Sequence, residues 1–280
     1  MSKTSEQLLK NEPVILTIAG SDSSGGAGIQ ADLKTFAALG AYGTTAVTCI
    51  TAQNPRTLHG MQPVDAPLIA QQIRAVCEAY PIAAVKTGML YSTEIIRTVA
   101  QEIIAQGLAV VVVDPVMVAS SGARLLQSDA VEALCRELLP IARVITPNLH
   151  ECEILCGRTI SSVEELREAA RDICEKFDVA CVAKGGHLGN DDENVIDVLF
   201  DEGEEFLFKG KRILAAESHG AGCAFSAALT AFLGKGLFLS EAVQRAKHYV
   251  SHAMRHSVEI GHHRPLKFNW TAEHGGDSVN

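Results

Sequence analysis

The chain has 280 residues and a formal net charge of −9, with 47% hydrophobic and 20% charged residues. A chain of this size can bury one large hydrophobic core, so we expect a single compact domain over residues 13–262. The acidic balance, and the lack of any run of Lys and Arg, argue against a nucleic-acid-binding protein.

The two ends of the chain are polar and lack a regular hydrophobic pattern. Residues 1–12 have no apolar centre of the kind found in a secretory signal, and residues 263–280 contain Gly and His without periodicity, so we expect a mobile tail at each end. The eight cysteines form no CxxC pair. This pattern indicates reduced thiols, no zinc cluster and a cytoplasmic protein.

Short β-branched runs alternate with helical patterns from residue 14 onward. The six runs are VILTIAG (14–20), TTAVTCI (44–50), AAVKTG (83–88), AVVVVDP (109–115), ARVITP (142–147) and VACVAKGG (179–186). Helical patterns lie between them, for example over 67–80 and 162–177. Strands this apolar are covered on both faces, and strands that alternate with helices imply a parallel sheet. We therefore predict a three-layer α/β/α sandwich with a mostly parallel central sheet.

The last third of the chain adds a hairpin and two helices. The runs 195–200 and 204–210 predict an antiparallel hairpin, and helices are expected over 222–234 and 240–258. On the last helix, His248, His252 and His256 repeat every four residues. They form either a metal-binding stripe or a half-exposed helix face, and the second reading is favoured because no carboxylate or Cys joins them.

The segments that follow the predicted parallel strands are polar and rich in glycine. They are 20–28, 86–89, 114–122, 146–151 and 184–187. In an open parallel sheet, ligands bind beyond the carboxyl ends of the strands. We therefore expect the functional site at this edge of the sheet.

The segment 220–223, Gly-Ala-Gly-Cys, begins one of the predicted helices. Small residues leave the first amides of a helix unobstructed, and the helix dipole favours an anion there, so this loop suits a phosphoryl group. The same setting predicts a lowered pKa for the Cys223 thiol. The alternative is a helix start whose small residues serve only close packing.

Carboxylates follow two neighbouring strands. Asp114 comes directly after a buried strand, and Glu151 lies one helical turn from Asn148 at the next strand end. A carboxylate so close to the core needs a cation or hydrogen-bond donors, and this pair indicates Mg²⁺ held through waters against nucleotide phosphates. Alternatively, Asn148 and Glu151 cap a helix and Asp114 caps a loop.

A third carboxylate, Asp32, borders the apolar stripe of the first predicted helix. It would accept hydrogen bonds from an exocyclic amine of a ligand, or it is an ordinary surface acid. Residues 26–31 match a GxGxxA dinucleotide pattern, but the preceding loop is too long for a tight turn and no acid follows about 20 residues later. No GxxxxGK[ST] phosphate loop occurs.

Several of these motifs together resemble one family. The chain is similar to the ribokinase-like superfamily, and within it to the hydroxymethylpyrimidine and hydroxymethylpyrimidine-phosphate kinases of thiamine biosynthesis. The resemblance covers residues 14–258. It is carried by AGSDSSGGAGIQADLKTFAALGAYGTTAVT (19–48), AQN (52–54), KTGML (86–90), DPVMVASSG (114–122), TPNLHE (146–151), KGGH (184–187) and HGAGC (219–223).

The resemblance implies that MgATP phosphorylates 4-amino-5-hydroxymethyl-2-methylpyrimidine twice, first on its hydroxymethyl oxygen and then on the new phosphate. It places the pyrimidine among Gly20, Ala27, Asp32, Gln53, Met89 and Val116. It assigns Mg²⁺ to Asp114 and Glu151, and ATP to Asn148, Glu151, Lys184 and Gly186. It also implies that Gly220, Ala221, Gly222, Cys223 and Lys184 act at the transferred group, with Cys223 close to the acceptor hydroxyl.

Other functions remain open at this stage. The loop usual in the family reads HGTGC, whereas this chain has HGAGC, a variant that also occurs in a related bacterial type of pyridoxal kinase. Gln53 favours the pyrimidine, because its amide is absent from most of the pyridoxal-type enzymes. A pyridoxal kinase of vitamin B6 salvage is thus the alternative, and a non-catalytic pyrimidine-binding regulator is a more remote one. Similar kinases are commonly homodimers, which we also expect here.

Overall fold

The structure is a computed structural model that describes residues 12–118, 125–127, 129–186, 188, 194–213 and 219–269. Its strands are β1 (Val14–Ser21), β2 (Tyr42–Gln53), β3 (Leu58–Pro63), β4 (Ile82–Thr87), β5 (Val111–Val113), β6 (Val144–Ile145), β7 (Ala180–Lys184), β8 (Asn194–Asp201) and β9 (Glu204–Lys211). Within the described residues they form one sheet in the order β3-β2-β1-β4-β5-β6-β7-β8-β9.

The helices connect these strands. They are α1 (Gly28–Ala38), α2 (Ala66–Ala79), α3 (Thr93–Ala105), α4 (Ala130–Ala133), α5 (Leu149–Cys156), α6 (Val163–Phe177), α7 (Ala221–Gly234) and α8 (Leu239–Arg255). A π-helical turn over Leu134–Leu138 and a 3-10 turn over Leu139–Ile141 continue α4. In the part of the chain that the structure describes, no helix has both the length and the apolar character needed to cross a membrane.

The sheet is parallel at its centre and antiparallel at both edges. Strand β1 pairs in parallel with β2 and β4, and the parallel pairing continues through β5, β6 and β7. The hairpin β8–β9 pairs antiparallel with β7, which confirms the predicted hairpin. Edge strand β3 was not predicted, because its sequence LHGMQP has no apolar alternation and four of its six residues are exposed.

Two apolar layers cover the faces of the sheet. Along β5, Val111 and Val113 pack against the layer that contains α2 to α6, whereas Val112 packs against the layer of α1, α7 and α8. Successive residues of a strand point to opposite faces, so a continuous valine run contributes to both cores. The predicted three-layer sandwich is confirmed.

Ordered packing continues past the domain boundary expected at residue 262. Leu266 and Phe268 are buried, and the hydroxyl of Tyr249 donates a hydrogen bond of 2.8 Å to the Phe268 carbonyl oxygen. The amide of Lys267 also donates to the Ala253 carbonyl oxygen. Residues 1–11 and 270–280, the rest of the two expected tails, lie outside the described residues.

Candidate active site

Two loops meet at the carboxyl edge of the parallel strands. The substrate loop, residues 20–28, joins β1 to α1, and the anion loop, residues 219–223, leads into α7. Gly220 has a φ of +83°, and a Cβ at this position would overlap the carbonyl oxygen of Gly26. Only glycine allows this backbone conformation together with so close an approach. The two loops are therefore in direct backbone contact.

The anion loop presents an uncapped helix N-terminus. Gly220 is the N-cap residue of α7 and supplies no side-chain hydrogen bond to the amides that follow. A Cβ built on Gly222 would lie 3.4 Å from the Lys184 ammonium nitrogen, so this cation borders the first turn. The first amides of α7, the positive end of its helix dipole and a lysine together fit a phosphoryl group.

Asp114 links three elements of the site. Its Oδ1 accepts hydrogen bonds from Lys184 Nζ at 3.2 Å and from Thr146 Oγ1 at 3.2 Å. Its Oδ2 accepts a hydrogen bond from Ser226 Oγ at 3.0 Å. The end of β5 is thereby connected to the end of β7 and to the second turn of α7. Sequence reasoning missed Thr146 and Ser226, whose hydroxyls hold this carboxylate in place.

Asn148 and Glu151 form a capping box at the start of α5, as the alternative reading of the sequence proposed. The Glu151 carboxylate accepts a 2.8 Å hydrogen bond from the backbone amide of Asn148, and the backbone amide of Met117 also donates to it. Burial raises the pKa of Glu151 to about 7, against the opposing effect of Lys184. The Asp114 charge adds to the increase. The capping hydrogen bonds do not prevent Glu151 from binding a metal, because each carboxylate oxygen can accept more than one contact.

The two carboxylates proposed for Mg²⁺ already have protein partners. Among the described residues, no group of three or more His, Cys, Asp or Glu side chains can hold a metal ion. Asp114 and Glu151 already accept hydrogen bonds from protein donors. Mg²⁺ commonly keeps several waters and takes one or two carboxylates together with phosphate oxygens. The water-mediated contact expected from the sequence stays a prediction.

The three histidines of the predicted stripe lie along α8, with His256 at its C-cap. The ring centroids of His248 and His252 are 4.2 Å apart, and those of His252 and His256 are 5.8 Å apart, with the rings stacked in both pairs. Nδ1 of His256 lies 2.9 Å from the His252 carbonyl oxygen. The stripe is thus a row of stacked rings, two of them half-buried, on the last helix.

Asp32 is completely buried, so the reading as a surface acid is wrong. Its Oδ2 accepts hydrogen bonds from Thr17 Oγ1 at 2.6 Å and from Lys86 Nζ at 2.9 Å. The Lys86 side chain is also completely excluded from solvent. Oδ1 of Asp32 is buried without a hydrogen-bond partner among the described residues. Such an oxygen can accept a hydrogen bond from a ligand amine.

The pKa of Cys223 is raised, contrary to the expectation from its place at a helix start. Burial raises the pKa of this thiol to about 11, although Lys86 and a hydrogen bond from the Gly28 amide both act to lower it. The charges of Asp32 and Asp114 add to the increase. Loss of hydration and two nearby carboxylates outweigh the helix dipole. In the free protein Cys223 is therefore a neutral thiol at physiological pH.

A small apolar cluster lies beside the substrate loop. A Cβ on Gly20 would overlap the terminal methyl of Met89, so these two predicted substrate residues are neighbours. Met89 packs in a buried cluster with Cys49 and Leu125, and Val116 packs against the same cluster. The structure thus brings together three residues expected to contact the substrate ring.

Three other predicted residues, Gln53, Ala27 and Gly186, are half-buried. Gln53 is half-buried at the end of β2, and Ala27 precedes the first residue of α1. Gly186 follows Lys184, and its carbonyl oxygen accepts a 2.9 Å hydrogen bond from Arg212. The predicted loop residues 119–122 and His187 lie outside the described part of the chain.

Asp22 and His219 form a contact that sequence reasoning also missed. His219 Nε2 lies 2.9 Å from Asp22 Oδ2, and both side chains are largely buried. Burial alone would raise the pKa of Asp22, but hydrogen bonds from His219 and Ser24 hold it well below its usual range. A carboxylate only accepts hydrogen bonds, so the His219 ring is the donor.

Comparison with known proteins identifies relatives of this chain. The family model for phosphomethylpyrimidine kinase matches residues 22–267. The hydroxymethylpyrimidine/phosphomethylpyrimidine kinase of Haemophilus influenzae is 43% identical over 255 residues, which cover 90% of this chain and 95% of the relative. The thiamine biosynthesis bifunctional protein ThiED of Geobacter sulfurreducens is 44% identical over 92% of this chain, which spans only 53% of that relative.

Among solved structures, an ADP complex of Bacillus subtilis pyridoxal kinase is similar in both fold and sequence. The two superpose with a TM-score of 0.83 at 39% identity, over 92% of this chain and 97% of that one. The comparison agrees with the expected similarity between this chain and pyridoxal-type kinases.

Proposed function

The chain belongs to the phosphomethylpyrimidine kinase family, and we propose that it uses ATP to phosphorylate 4-amino-5-hydroxymethyl-2-methylpyrimidine and then the resulting monophosphate, in thiamine biosynthesis. One observation carries this proposal: the loop whose Gly20 lies against Met89 of an apolar cluster also contacts, at Gly26, the helix start at Gly220 that Lys184 borders. A ring bound against this cluster would lie next to a phosphoryl group at the helix start. Proximity of this kind supplies much of the rate of phosphoryl transfer.

The pyrimidine ring would lie against Gly20, Ala27, Met89 and Val116. Its exocyclic amine would donate to Asp32 Oδ1, the buried oxygen that has no partner among the described residues. Gln53 would pair with the remaining polar edge of the ring. In this orientation the hydroxymethyl oxygen faces Cys223, beside the backbone amides that start α7.

The transferred phosphoryl group would be held by the amides of residues 220–223 and by the Lys184 ammonium. Asn148 and Gly186 would face the nucleotide. Mg²⁺ supplies further charge stabilisation when bound, and Asp114 and Glu151 are placed to hold it through water. Phosphoryl transfer has a loose transition state with charge on the phosphoryl oxygens, so these donors account for most of the catalysis.

Cys223 would assist only the first phosphorylation. The hydroxymethyl group must lose a proton when its oxygen bonds to phosphorus, whereas the acceptor oxygen of the monophosphate is already ionised. A neutral thiol cannot take that proton, so the contribution depends on the small thiolate fraction allowed by a pKa of about 11. The positive charge of Lys86 favours the thiolate.

A pyridoxal kinase is the second candidate function, and the similarity to Bacillus subtilis pyridoxal kinase favours it. Gln53, at the end of β2, distinguishes the two proposals, because an amide at this position suits the pyrimidine edge. A non-catalytic pyrimidine-binding regulator is disfavoured. A regulator has no need for Lys184 and Asp114, which are paired beside the helix start.

The test is an ADP-release assay with MgATP that compares the pyrimidine with pyridoxal and follows the products by mass. We expect two successive phosphate additions to the pyrimidine, and Gln53→Ala should weaken its binding more than that of pyridoxal. A single addition to pyridoxal alone would assign the chain to vitamin B6 salvage. Phosphorylation of neither ring would contradict both candidates.

We also propose an oligomeric state and a cellular compartment for the protein. We expect a cytoplasmic homodimer that forms through the β8–β9 hairpin or a sheet edge, where Leu207 of β9 is an exposed large apolar side chain. All eight cysteines are free thiols, as suits a reducing compartment. Light scattering of the purified protein gives the oligomeric state, and fractionation of cells gives the compartment.

A further inference from the structure

The substrate loop and the anion loop carry different parts of the proposed reaction. In that proposal the substrate loop contributes Gly20 and Ala27 to the ring site, and the anion loop contributes the amides and Cys223. For transfer to occur, the acceptor oxygen and the phosphoryl group must approach to about 3–3.5 Å in the correct direction. The rate of phosphoryl transfer should therefore depend on the relative position of these two loops.

Asp22 organises the substrate loop from within. Its Oδ1 accepts hydrogen bonds from the amide and the hydroxyl of Ser24, at 2.9 Å and 2.8 Å. Its Oδ2 accepts from the amides of Gly26 at 3.1 Å and Ala27 at 2.8 Å. These local bonds fix the shape of the loop, and they do not require any residue from outside it.

His219 adds a contact from the other loop. Its Nε2 donates to the same Oδ2 of Asp22 at 2.9 Å, across 197 positions of sequence. A Cβ on Gly26 would lie 2.8 Å from Cδ2 of His219, so the glycine leaves space for the ring. Because His219 directly precedes Gly220, this bond attaches the first turn of α7 to the substrate loop.

The opposite side of the substrate loop is also attached. Ser23 Oγ donates a hydrogen bond to the backbone carbonyl oxygen of Gln53 at 2.7 Å and accepts one from the backbone amide of Gln53 at 2.8 Å. The backbone that carries the proposed ring-recognition amide is thus connected through Ser23 and Asp22 to His219. Hydrogen bonds at Ser23 and at Asp22, two residues joined by a peptide bond, thus connect the proposed ring site to the proposed phosphoryl site.

We propose that Asp22 and His219 act as a clasp, a pair of positioning residues that sets the distance between the acceptor oxygen and the phosphoryl group. This inference rests on the proposed kinase function, because it assigns a catalytic purpose to the contact. Neither side chain takes part in proton or phosphoryl transfer. Loss of the clasp should therefore slow the transfer step while each loop still binds its own ligand.

Steady-state kinetics with His219→Ala and His219→Gln test this role. The amide nitrogen of glutamine can occupy nearly the position of Nε2, so His219→Gln keeps the donor that His219→Ala removes. We expect His219→Ala to lower kcat about 10- to 100-fold, with less than a threefold change in either KM. His219→Gln should recover activity to within about threefold of the wild type, and the exposed His262→Ala variant is the control.

The proposed role of the clasp is wrong if His219→Ala leaves kcat within twofold of the wild type or changes only KM. It is also wrong if His219→Gln is as impaired as His219→Ala. If the wild type phosphorylates pyridoxal instead of the pyrimidine, the proposed substrate is wrong. The same comparison is then made with pyridoxal, so the two failures are distinguishable.

Backbone hydrogen exchange gives a second measurement that does not depend on the acceptor. In the nucleotide-free protein, His219→Ala should speed exchange about tenfold in segments 22–28 and 219–224, since one charge-assisted hydrogen bond is lost. Unchanged exchange in the anion loop would contradict the clasp. Faster exchange throughout α7 would also contradict it, because it would indicate general destabilisation.

Discussion

The carboxylate of Asp32 lies 2.9 Å from the ammonium of Lys86, and both side chains are completely excluded from solvent. The pair joins α1 to β4. Burial raises the pKa of Asp32, and the attraction of Lys86 opposes this effect. A buried pair of this kind contributes little net stability, but loss of one partner leaves an uncompensated charge.

Lys86→Met should therefore destabilise the protein by about 3 to 5 kcal/mol. The double variant Lys86→Met with Asp32→Asn should regain part of that loss, because the remaining amide is neutral. Urea denaturation of the two variants gives the free energies of unfolding. A cost below about 1 kcal/mol for Lys86→Met would show that Asp32 takes up a proton or reaches water when its partner is removed.

Cys223→Ala should slow the first phosphorylation about 10- to 100-fold and change the second by less than threefold. Only the hydroxymethyl acceptor has a proton to lose. Because the thiol pKa is about 11, the wild-type advantage should increase between pH 7 and pH 9 as the thiolate fraction grows. Single-turnover assays that start from each acceptor separate the two steps.

Cys174→Ala is the matched control for Cys223→Ala, because Cys174 is another partly buried thiol and lies in α6. It should leave both phosphorylation steps unchanged. Equal losses in the two steps for Cys223→Ala would rule out a role in proton removal and leave Cys223 as a packing residue.

Much of the fold could be predicted from the sequence, because strands buried on both faces have a strong apolar signal. The run 109–115 predicted a central strand, and Val111, Val112 and Val113 form β5. Edge strand β3 could not be predicted in the same way, since exposure removes the apolar pattern. Its position is set by pairing with β2, a long-range contact with no local signal.

The location of the site could be predicted from the sequence, but the hydrogen bonds among its residues could not. Polar residues after each strand located Asp114 and Lys184, but their hydrogen bonds to each other, and to Ser226 of α7, depend on the packed sheet. Lys86 gave a usable signal, because a lysine within an apolar strand needs a buried partner. The raised pKa of Cys223 followed from burial, which a local motif does not show.

The stability of the protein should depend on pH through Glu151. Its pKa is about 7 in the folded protein and about 4.5 without the fold. Between these values the folded protein binds more protons than the unfolded chain, so the free energy of unfolding falls as pH rises through this window. The full effect is on the order of 3 kcal/mol. Glu151→Gln keeps the capping box but has no charge.

We therefore expect Glu151→Gln to be more stable than the wild type at pH 8, by about 2 kcal/mol, with a smaller difference at pH 6. Glu165→Gln is the matched control, because Glu165 fills the same position in the exposed capping box of α6 and its pKa is lowered. It should not be stabilised at pH 8. Urea denaturation without nucleotide or Mg²⁺ checks both variants, and a pH-independent difference for Glu151→Gln would contradict the assignment.

Two glycines of the anion loop should respond differently to alanine. Gly220→Ala places a Cβ against the Gly26 carbonyl oxygen and requires a φ of +83°, so it should lower the free energy of unfolding by about 2 to 4 kcal/mol. Gly222→Ala lies within the first turn of α7, where alanine is favoured over glycine by about 1 kcal/mol. Its methyl group would lie 3.4 Å from Lys184 Nζ, in the space proposed for the phosphoryl group.

Gly222→Ala should therefore keep wild-type stability within about 1 kcal/mol and lose at least about tenfold in kcat. Urea denaturation and the ADP-release assay on the same preparations separate the two effects. Full activity of Gly222→Ala would remove the phosphoryl group from this helix start. Wild-type stability of Gly220→Ala would mean that the loops can separate without cost, because the added methyl group can be accommodated only if the backbone contact at Gly26 opens.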